Sequence, residues 1–496
     1  MIGTQKGRFL SSPIFIWQGE RKEFRALKAQ RTKAIFRVFV VMLALVAPVF
    51  GQEMVSPEKK EKPKESKEET YEQTVELNEH NRIASASYCF FEPGGEKGFS
   101  PILFGEISPY PENPPRIKRP EDPDKILVRN WDPRIWLEEH GLTFSLVYTA
   151  EGFWNTRGGI STHHARKYRG DVSLFLELDT ESAGLWEDGT FFAHLQHEHG
   201  DSITEKYVGD FQVLSNMDAD DFTQVSEIWY RHSFLDGKLW AKLGKQEANE
   251  DFAGVEYGGE FINSSAGFSP TIPLVTFPDP DWGMVWSFEP VESFSVNTGV
   301  YQGRPDGGRS IKSTLDNLYG PMVMVEPAFH YNVSELSGHF RLGGWWNGDR
   351  FDEFDKDDPD AGTFGRSYGW YLTWDQEIFK ENPKEEEDGQ GIGLFGQYGW
   401  TPEDRSEAEQ YLGGGIQWIG AIPARDEDVL GLGIFHVNFS DEVDFEEHDE
   451  TAIEFFYKVQ LHDSLSIKPD VQYIINPGGT SNDDALSVGL RLELSF

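Results

Sequence analysis

The chain ends in LSVGLRLELSF, an unbroken alternation in which Leu486, Val488, Leu490, Leu492, Leu494 and Phe496 share one parity. Ser487, Gly489, Arg491, Glu493 and Ser495 share the other. Period two with an apolar face and a charged face describes a β-strand standing between two different solvents. In a soluble protein such a strand would leave a bare, aggregation-prone edge at a terminus that usually frays. Lipid outside and water inside a closed sheet resolve the conflict, because an open edge is intolerable in hydrocarbon.

The pattern recurs from Gly141 onward. Thr143 to Glu151 sets Phe144, Leu146 and Tyr148 against Thr143, Ser145, Thr149 and Glu151. Asp171 to Asp179, Thr451 to Leu461 and Leu465 to Tyr473 alternate in the same way. About sixteen such segments of roughly ten residues follow one another, the length a tilted barrel strand needs. Gly283 to Phe288 and Gln410 to Trp418 alternate most weakly. Connections differ in kind: FLDGKLW and LHDSLS are tight, whereas FDEFDKDDPDAGTFG and KENPKEEEDGQ are long and acidic. Short turns on one rim and long loops on the other suit an outer-membrane barrel. Aromatic residues at 14% and 50 glycines, with only 38% hydrophobic residues, fit a lipid-facing band, aromatic girdles and a wet interior. The expected fold is all-β: a transmembrane antiparallel up-and-down barrel of about sixteen strands over residues 131–496, with an N-terminal periplasmic extension.

Lys33 and Arg37 precede an apolar run from Val38 to Phe50, followed by small-residue positions near Gln52. The run is too short to span a bilayer as a helix and has the flanks of a secretory signal. Residues 1–51 are therefore expected to be a signal peptide with a long n-region, with a short membrane anchor as the alternative. Residues 52–130 form a charged and proline-rich extension, marked by PEKKEKPKESKEET and by PILFGEISPYPENPPRIKRPEDP. A short helix is expected over Asp132 to His140. The formal net charge of −39 argues against nucleic acid as a partner. Cys89 is the sole cysteine, so no disulfide within the chain is expected.

Residues Val208 to Gly254, containing SEIWYRHSFLDGKLW and LGKQEANEDFA, resemble the carbohydrate-selective porins of the OprB family. Asn263-Ser264-Ser265, Phe268-Ser269-Pro270, GVYQGRPDG and INPGGTSNDDALSVGLRLELSF add to the likeness, which covers about Gly141 to Phe496. The resemblance implies a sixteen-stranded channel for passive sugar diffusion, without chemistry and without a cofactor. A final strand ending in Phe496 likewise resembles the signal read by the barrel assembly machinery.

A sugar offers hydroxyls at its edge and C–H patches on its faces. A selective pore therefore needs charged or amide groups for the one and aromatic rings for the other, held weakly enough to release the solute. Taking the polar parity as lumenal, Glu227, Trp229 and Arg231 line one strand and Trp240 with Lys242 the next. His339, Arg341 and Trp345, then Tyr371 and Asp375, follow on later strands. Lys245, Gln246 and Asp251 belong to the family-like block and either line the pore or fix a turn or an inward loop. No metal site is expected: His194 faces away from His197 and His199 on a strand. The Asp355, Asp357, Asp358 and Asp360 run lacks the EF-hand pattern. Gly413-Gly414-Gly415 lacks the Lys-Ser/Thr of a phosphate loop and reads as packing within a strand. A general porin, a structural barrel anchored by its extension and a barrel enzyme stay open as alternatives, though no compact nucleophile–histidine signature supports the last. Monomer or trimer, and the preferred sugar, are equally open.

Overall fold

The structure, a computed structural model, describes residues 133–304, 309–316, 319–354, 362–382 and 389–496. The expected signal peptide, the extension and the Asp355 to Asp360 run lie outside the described residues. A short helix, α1 (Pro133–Glu138), leads into the first strand, inside the span expected for it.

The strands are β1 (Leu142–Arg157), β2 (Arg166–Asp179), β3 (Gly189–Gly200), β4 (Phe222–Phe234), β5 (Leu239–Gln246), β6 (Asp281–Val291), β7 (Phe294–Gln302), β8 (Pro321–Val333) and β9 (Leu336–Asn347). A separate two-stranded ribbon follows, β10 (Phe351–Asp352) with β11 (Thr363–Phe364). Then come β12 (Ser367–Lys380), β13 (Gly391–Trp400), β14 (Ala408–Ile419), β15 (Val429–Phe439), β16 (Asp449–His462), β17 (Leu465–Ile475) and β18 (Ala485–Ser495). All but the ribbon form one closed antiparallel barrel in which each strand pairs with its neighbours in sequence and β1 closes on β18. The weakly patterned Gly283 to Phe288 and Gln410 to Trp418 lie within β6 and β14.

The terminal alternation is realised at the seam. Val488 and Leu490 are exposed on the outer surface while Ser487, Gly489 and Arg491 are buried on the inner one. The backbones of Leu146 and Phe496 exchange both hydrogen bonds, at 2.9 and 3.3 Å, so the last residue completes the ladder. Leu243, Leu412, Leu432, Ile434 and Phe455 continue the apolar exterior, with Trp154, Tyr168, Trp286, Trp346, Tyr368, Trp370 and Trp418 also exposed. Exposure of that kind is a liability in water and the required surface in lipid.

Turns on one rim shrink to the two residues 292–293, 334–335 and 463–464. The opposite rim carries most of the long connections, and two of these fold inward. The acidic connection of residues 381–390, expected on that rim, instead joins β12 to β13 on the rim of the short turns. The β3–β4 loop, residues 201–221, and the β5–β6 loop, residues 247–280, enter the barrel and fill much of it. The expected wet interior is thus largely a packed one. Phe261 of the second loop meets the rings of Phe395, Phe435 and Phe456 from β13, β15 and β16. Wall glycines give these elements room. A side chain at Gly399 would collide with Ser269 Oγ and Thr271 Oγ1 of the loop at 2.2 and 2.3 Å. In the Gly413 to Gly415 run, a Cβ at Gly413 would meet the Tyr411 hydroxyl at 2.1 Å, consistent with packing.

Candidate functional site

One segment, residues 247–280, is bonded to nearly every part of the barrel wall. The N–H of Ala253 donates to Glu326 Oε2 of β8 at 2.8 Å. The N–H groups of Glu256 and Tyr257 both donate to Asp375 Oδ1 of β12, at 2.8 and 3.2 Å. Those of Ile262 and Asn263 divide between the two oxygens of Glu454 on β16, at 2.6 and 2.9 Å. Gln397 of β13 donates to the Ala266 carbonyl at 2.6 Å, and the Tyr411 hydroxyl of β14 to the Ser265 carbonyl. Only a segment inside a closed barrel can touch strands from all sides. The logic is that of an irregular loop drawn into a cavity: its backbone groups lose water and must find partners, and wall carboxylates supply charge-assisted acceptors.

The β3–β4 loop is fixed in the same manner. Phe211 and Gln212 N–H groups donate to the two oxygens of Glu450 at 2.7 and 2.9 Å. Arg491 of β18 binds Glu151 of β1 at 2.8 Å and reaches Asn216 Oδ1 at 2.7 Å, joining the seam strands to the loop. The two loops bond each other through Asn216 N–H to the Ile262 carbonyl and Ser264 N–H to the Val213 carbonyl.

The residues singled out by parity fall into two groups. Trp229, Trp240 and Lys242 are buried on the inner face of β4 and β5, and Asp251 follows half-buried at the start of the loop. Lys242 Nζ lies 2.6 Å from Asp251 Oδ2, 3.4 Å from Glu250 Oε2 and 5.2 Å from the Trp229 ring centre. Trp229 stacks on Phe192 at 4.7 Å. Arg231 is half-buried on the same face. Farther round the wall, on β9 and β12, Arg341 pairs with Asp375 at 2.9 Å and donates to the Gly254 carbonyl at 3.3 Å, with Trp345 and Tyr371 buried in the same cluster as Trp240. His339 Nδ1 is 3.4 Å from Glu256 Oε2.

Glu227, Lys245 and Gln246 form the second group, deeper in the wall. Glu227 Oε2 accepts the N–H of Glu247 at 3.2 Å, and Lys245 Nζ donates to the Val225 carbonyl at 2.8 Å. Gln246 is fully buried. A bulge opposite His194 and Leu195 accommodates Ser226 as an extra residue, so that Gln224 and Glu227 both turn inward.

Charge in the loop is strongly tuned. Burial, reinforced by the Glu250 charge, pushes the Glu247 carboxyl up to about 8. Burial raises Glu250 to about 7 despite Lys242, and burial with the Asp375 charge raises Glu256 to about 8. Glu260 goes the other way: burial opposes ionisation, but Lys458 and Lys468 overcome it and hold the carboxyl at about 2. Their ammonium groups lie 2.6 and 2.7 Å from its oxygens.

Parity could not reveal Glu326, Glu450, Glu454, Lys458, Lys468 or Gln397 as loop anchors. Each lies on an inward position, but nothing local distinguishes an anchor from a charge that merely hydrates the wall.

The family described as "Carbohydrate-selective porin, OprB family" matches residues 163–496. Porin B of Pseudomonas aeruginosa is 23% identical over 418 residues, spanning 75% of this chain and 91% of that protein. The putative porin QuiX of Acinetobacter baylyi is 21% identical over 423 residues, 75% and 93% of the two chains. The high-pH structure of Pseudomonas putida OprB superposes with a TM-score of 0.68 at 20% identity, over 73% of this chain and 96% of that one.

Proposed function

The chain belongs to the OprB family of carbohydrate-selective porins, outer-membrane barrels, and from that premise we propose that selection occurs between the 247–280 loop and the wall facing it. The observation that carries this reading is the juxtaposition of Lys242, Glu250 and Asp251 with the Trp229 ring near the start of the loop, and of Arg341 with Asp375 farther along it. Opposite charges alternate at close range, so hydroxyl groups find both donors and acceptors. A net ionic solute, by contrast, meets a like charge at every step. Aromatic planes at Trp229, Trp240 and Trp345 are suited to the C–H faces of a sugar ring. Sites of this kind are weak individually, and release is as necessary as binding.

In this reading Arg231, Lys242, Asp251 and Arg341 address solute, while Glu227 and Lys245 hold the wall and the loop in register. Residues 1–51 act as signal peptide and 52–130 as a periplasmic extension. Monosaccharides such as glucose pass most readily, the exterior band contacts lipid, and the β18 strand ending in Phe496 is recognised during assembly.

Swelling of proteoliposomes in glucose, a disaccharide and a zwitterionic amino acid no larger than glucose tests the proposal. Glucose entering faster than the smaller amino acid supports selection by chemistry. Entry ranked purely by size would reduce the channel to a general pore, and absence of entry would favour a structural barrel.

A further inference from the structure

Three side chains from three elements converge inside the barrel: His194 of β3, Glu227 of β4 and Glu247 at the start of the 247–280 loop. One ligand atom from each lies within 4.8 Å of the other two, and all three residues are buried. Hydrogen bonds hold each of the three side chains. Ser173 donates its hydroxyl hydrogen to Asp171 Oδ2 at 2.6 Å, so its oxygen accepts from His194 Nε2, 2.9 Å away. The proton of the neutral ring is therefore on Nε2, and the Nδ1 lone pair points toward Glu227 Oε1 at 3.9 Å. That distance is too long for a hydrogen bond. Glu227 Oε2 is held by the Glu247 N–H. Glu247 Oε2 is held by the Thr276 hydroxyl at 3.1 Å and the Phe277 N–H at 3.2 Å.

Each side chain is thus held at one atom by a hydrogen bond, and Glu227 is further hydrogen-bonded to Glu250. That is how outer hydrogen bonds orient metal ligands. Carboxyl groups also outnumber ammonium groups around the three side chains. Glu227, Glu247, Glu250 and Asp251 supply four carboxyl groups, against the two ammonium groups of Lys242 and Lys245. Of these, Lys242 is committed to Glu250 and Asp251.

We propose that His194, Glu227 and Glu247 form a site for a divalent transition-metal cation of the zinc type. One nitrogen and two carboxylate oxygens suit zinc and disfavour magnesium or calcium, which take oxygen ligands. Ligand atoms around such an ion stand roughly 3.4 Å apart, so His194 and Glu227 need close by only about half an ångström. The ion joins β3, β4 and the root of the inward loop, and its role is to pin that loop. This goes beyond sugar selection and does not depend on which residues touch solute.

The test uses the full chain, without a histidine tag, purified in detergent and stripped with chelator, then titrated calorimetrically with ZnCl₂. One ion is expected per chain, with binding lost in His194→Gln and in Glu247→Gln and retained in His197→Gln on the outer face. Ser173→Ala leaves all three ligands in place but removes the group that orients the imidazole, and should weaken binding by roughly 10- to 100-fold. It also serves if His194→Gln does not yield a heat-modifiable barrel. Equal binding by wild type and by His194→Gln or Ser173→Ala overturns the proposal, as does absence of binding below about 1 mM, the limit of weak association.

Discussion

The Glu260 carboxylate and the Lys468 ammonium meet at 2.7 Å inside the barrel, and Lys468 also donates to the Glu260 carbonyl at 2.8 Å. With Lys458 on the other oxygen, this buried triad pins the far part of the inward loop to β16 and β17. Glu260→Gln leaves two buried cations facing an amide, a change that typically costs roughly 3–5 kcal/mol. The sign of the pH effect follows from the depressed carboxyl at about 2. Its contribution is complete above the ordinary carboxylate range near 4.3 and is lost as pH falls toward 2. Single-channel conductance should therefore become larger and noisier as pH drops from 5 to 2.5. Glu260→Gln should be noisy at pH 7 already; a quiet variant with wild-type conductance would remove the triad from loop control.

Glu256 gives the opposite dependence. Its carboxyl, raised to about 8 by burial and by the Asp375 charge, keeps its proton in the docked loop at neutral pH. An ordinary carboxyl ionises near 4.3, so docking is favoured below that pH and weakens progressively as pH rises from about 4.3 to 8. Between pH 5 and 8 the wild type should gain conductance fluctuations that Glu256→Gln, neutral throughout, lacks, with little further change above 8. Identical pH profiles for the two proteins would rule the group out.

Lys242 stands against Asp251 at 2.6 Å and Glu250 at 3.4 Å. Lys242→Met removes the positive charge and leaves both acids. A unit change near a partly hydrated pore is worth about 1 kcal/mol, which is roughly fivefold in the K⁺/Cl⁻ permeability ratio toward the cation. Reversal potentials across a planar bilayer under a salt gradient measure it. An unchanged ratio would mean that ions do not pass this side of the loop.

How much of this was legible depended on the reach of each interaction. The barrel was, because an alternating strand such as β18 shows both its solvents within eleven residues. The inward parity of Trp229, Lys242 and Arg341 was legible for the same reason. The packed interior was not. Ile262 N–H and its acceptor Glu454 are 192 residues apart, and each looks ordinary in its own neighbourhood. Likewise His194 seemed an isolated strand histidine, because its neighbours Glu227 and Glu247 come from other elements. Period two says which way a side chain points, but not what another segment will bring to meet it.

Glu454 offers the sharpest test that the loop sets solute size. Its two oxygens accept from Ile262 and Asn263 N–H groups at 2.6 and 2.9 Å, so both lone-pair faces are in use. Glu454→Gln keeps the volume, but it replaces one acceptor with an NH₂ that confronts a backbone N–H. An unsatisfied buried donor costs about 1–3 kcal/mol, enough to undock this part of the loop for a measurable fraction of the time. The barrel itself, held by its ladder, should remain heat-modifiable. Disaccharide entry relative to glucose should then rise in the swelling assay, because widening helps the larger solute most. A ratio equal to wild type, with the barrel intact, would show that the narrowest point is set elsewhere along the pore.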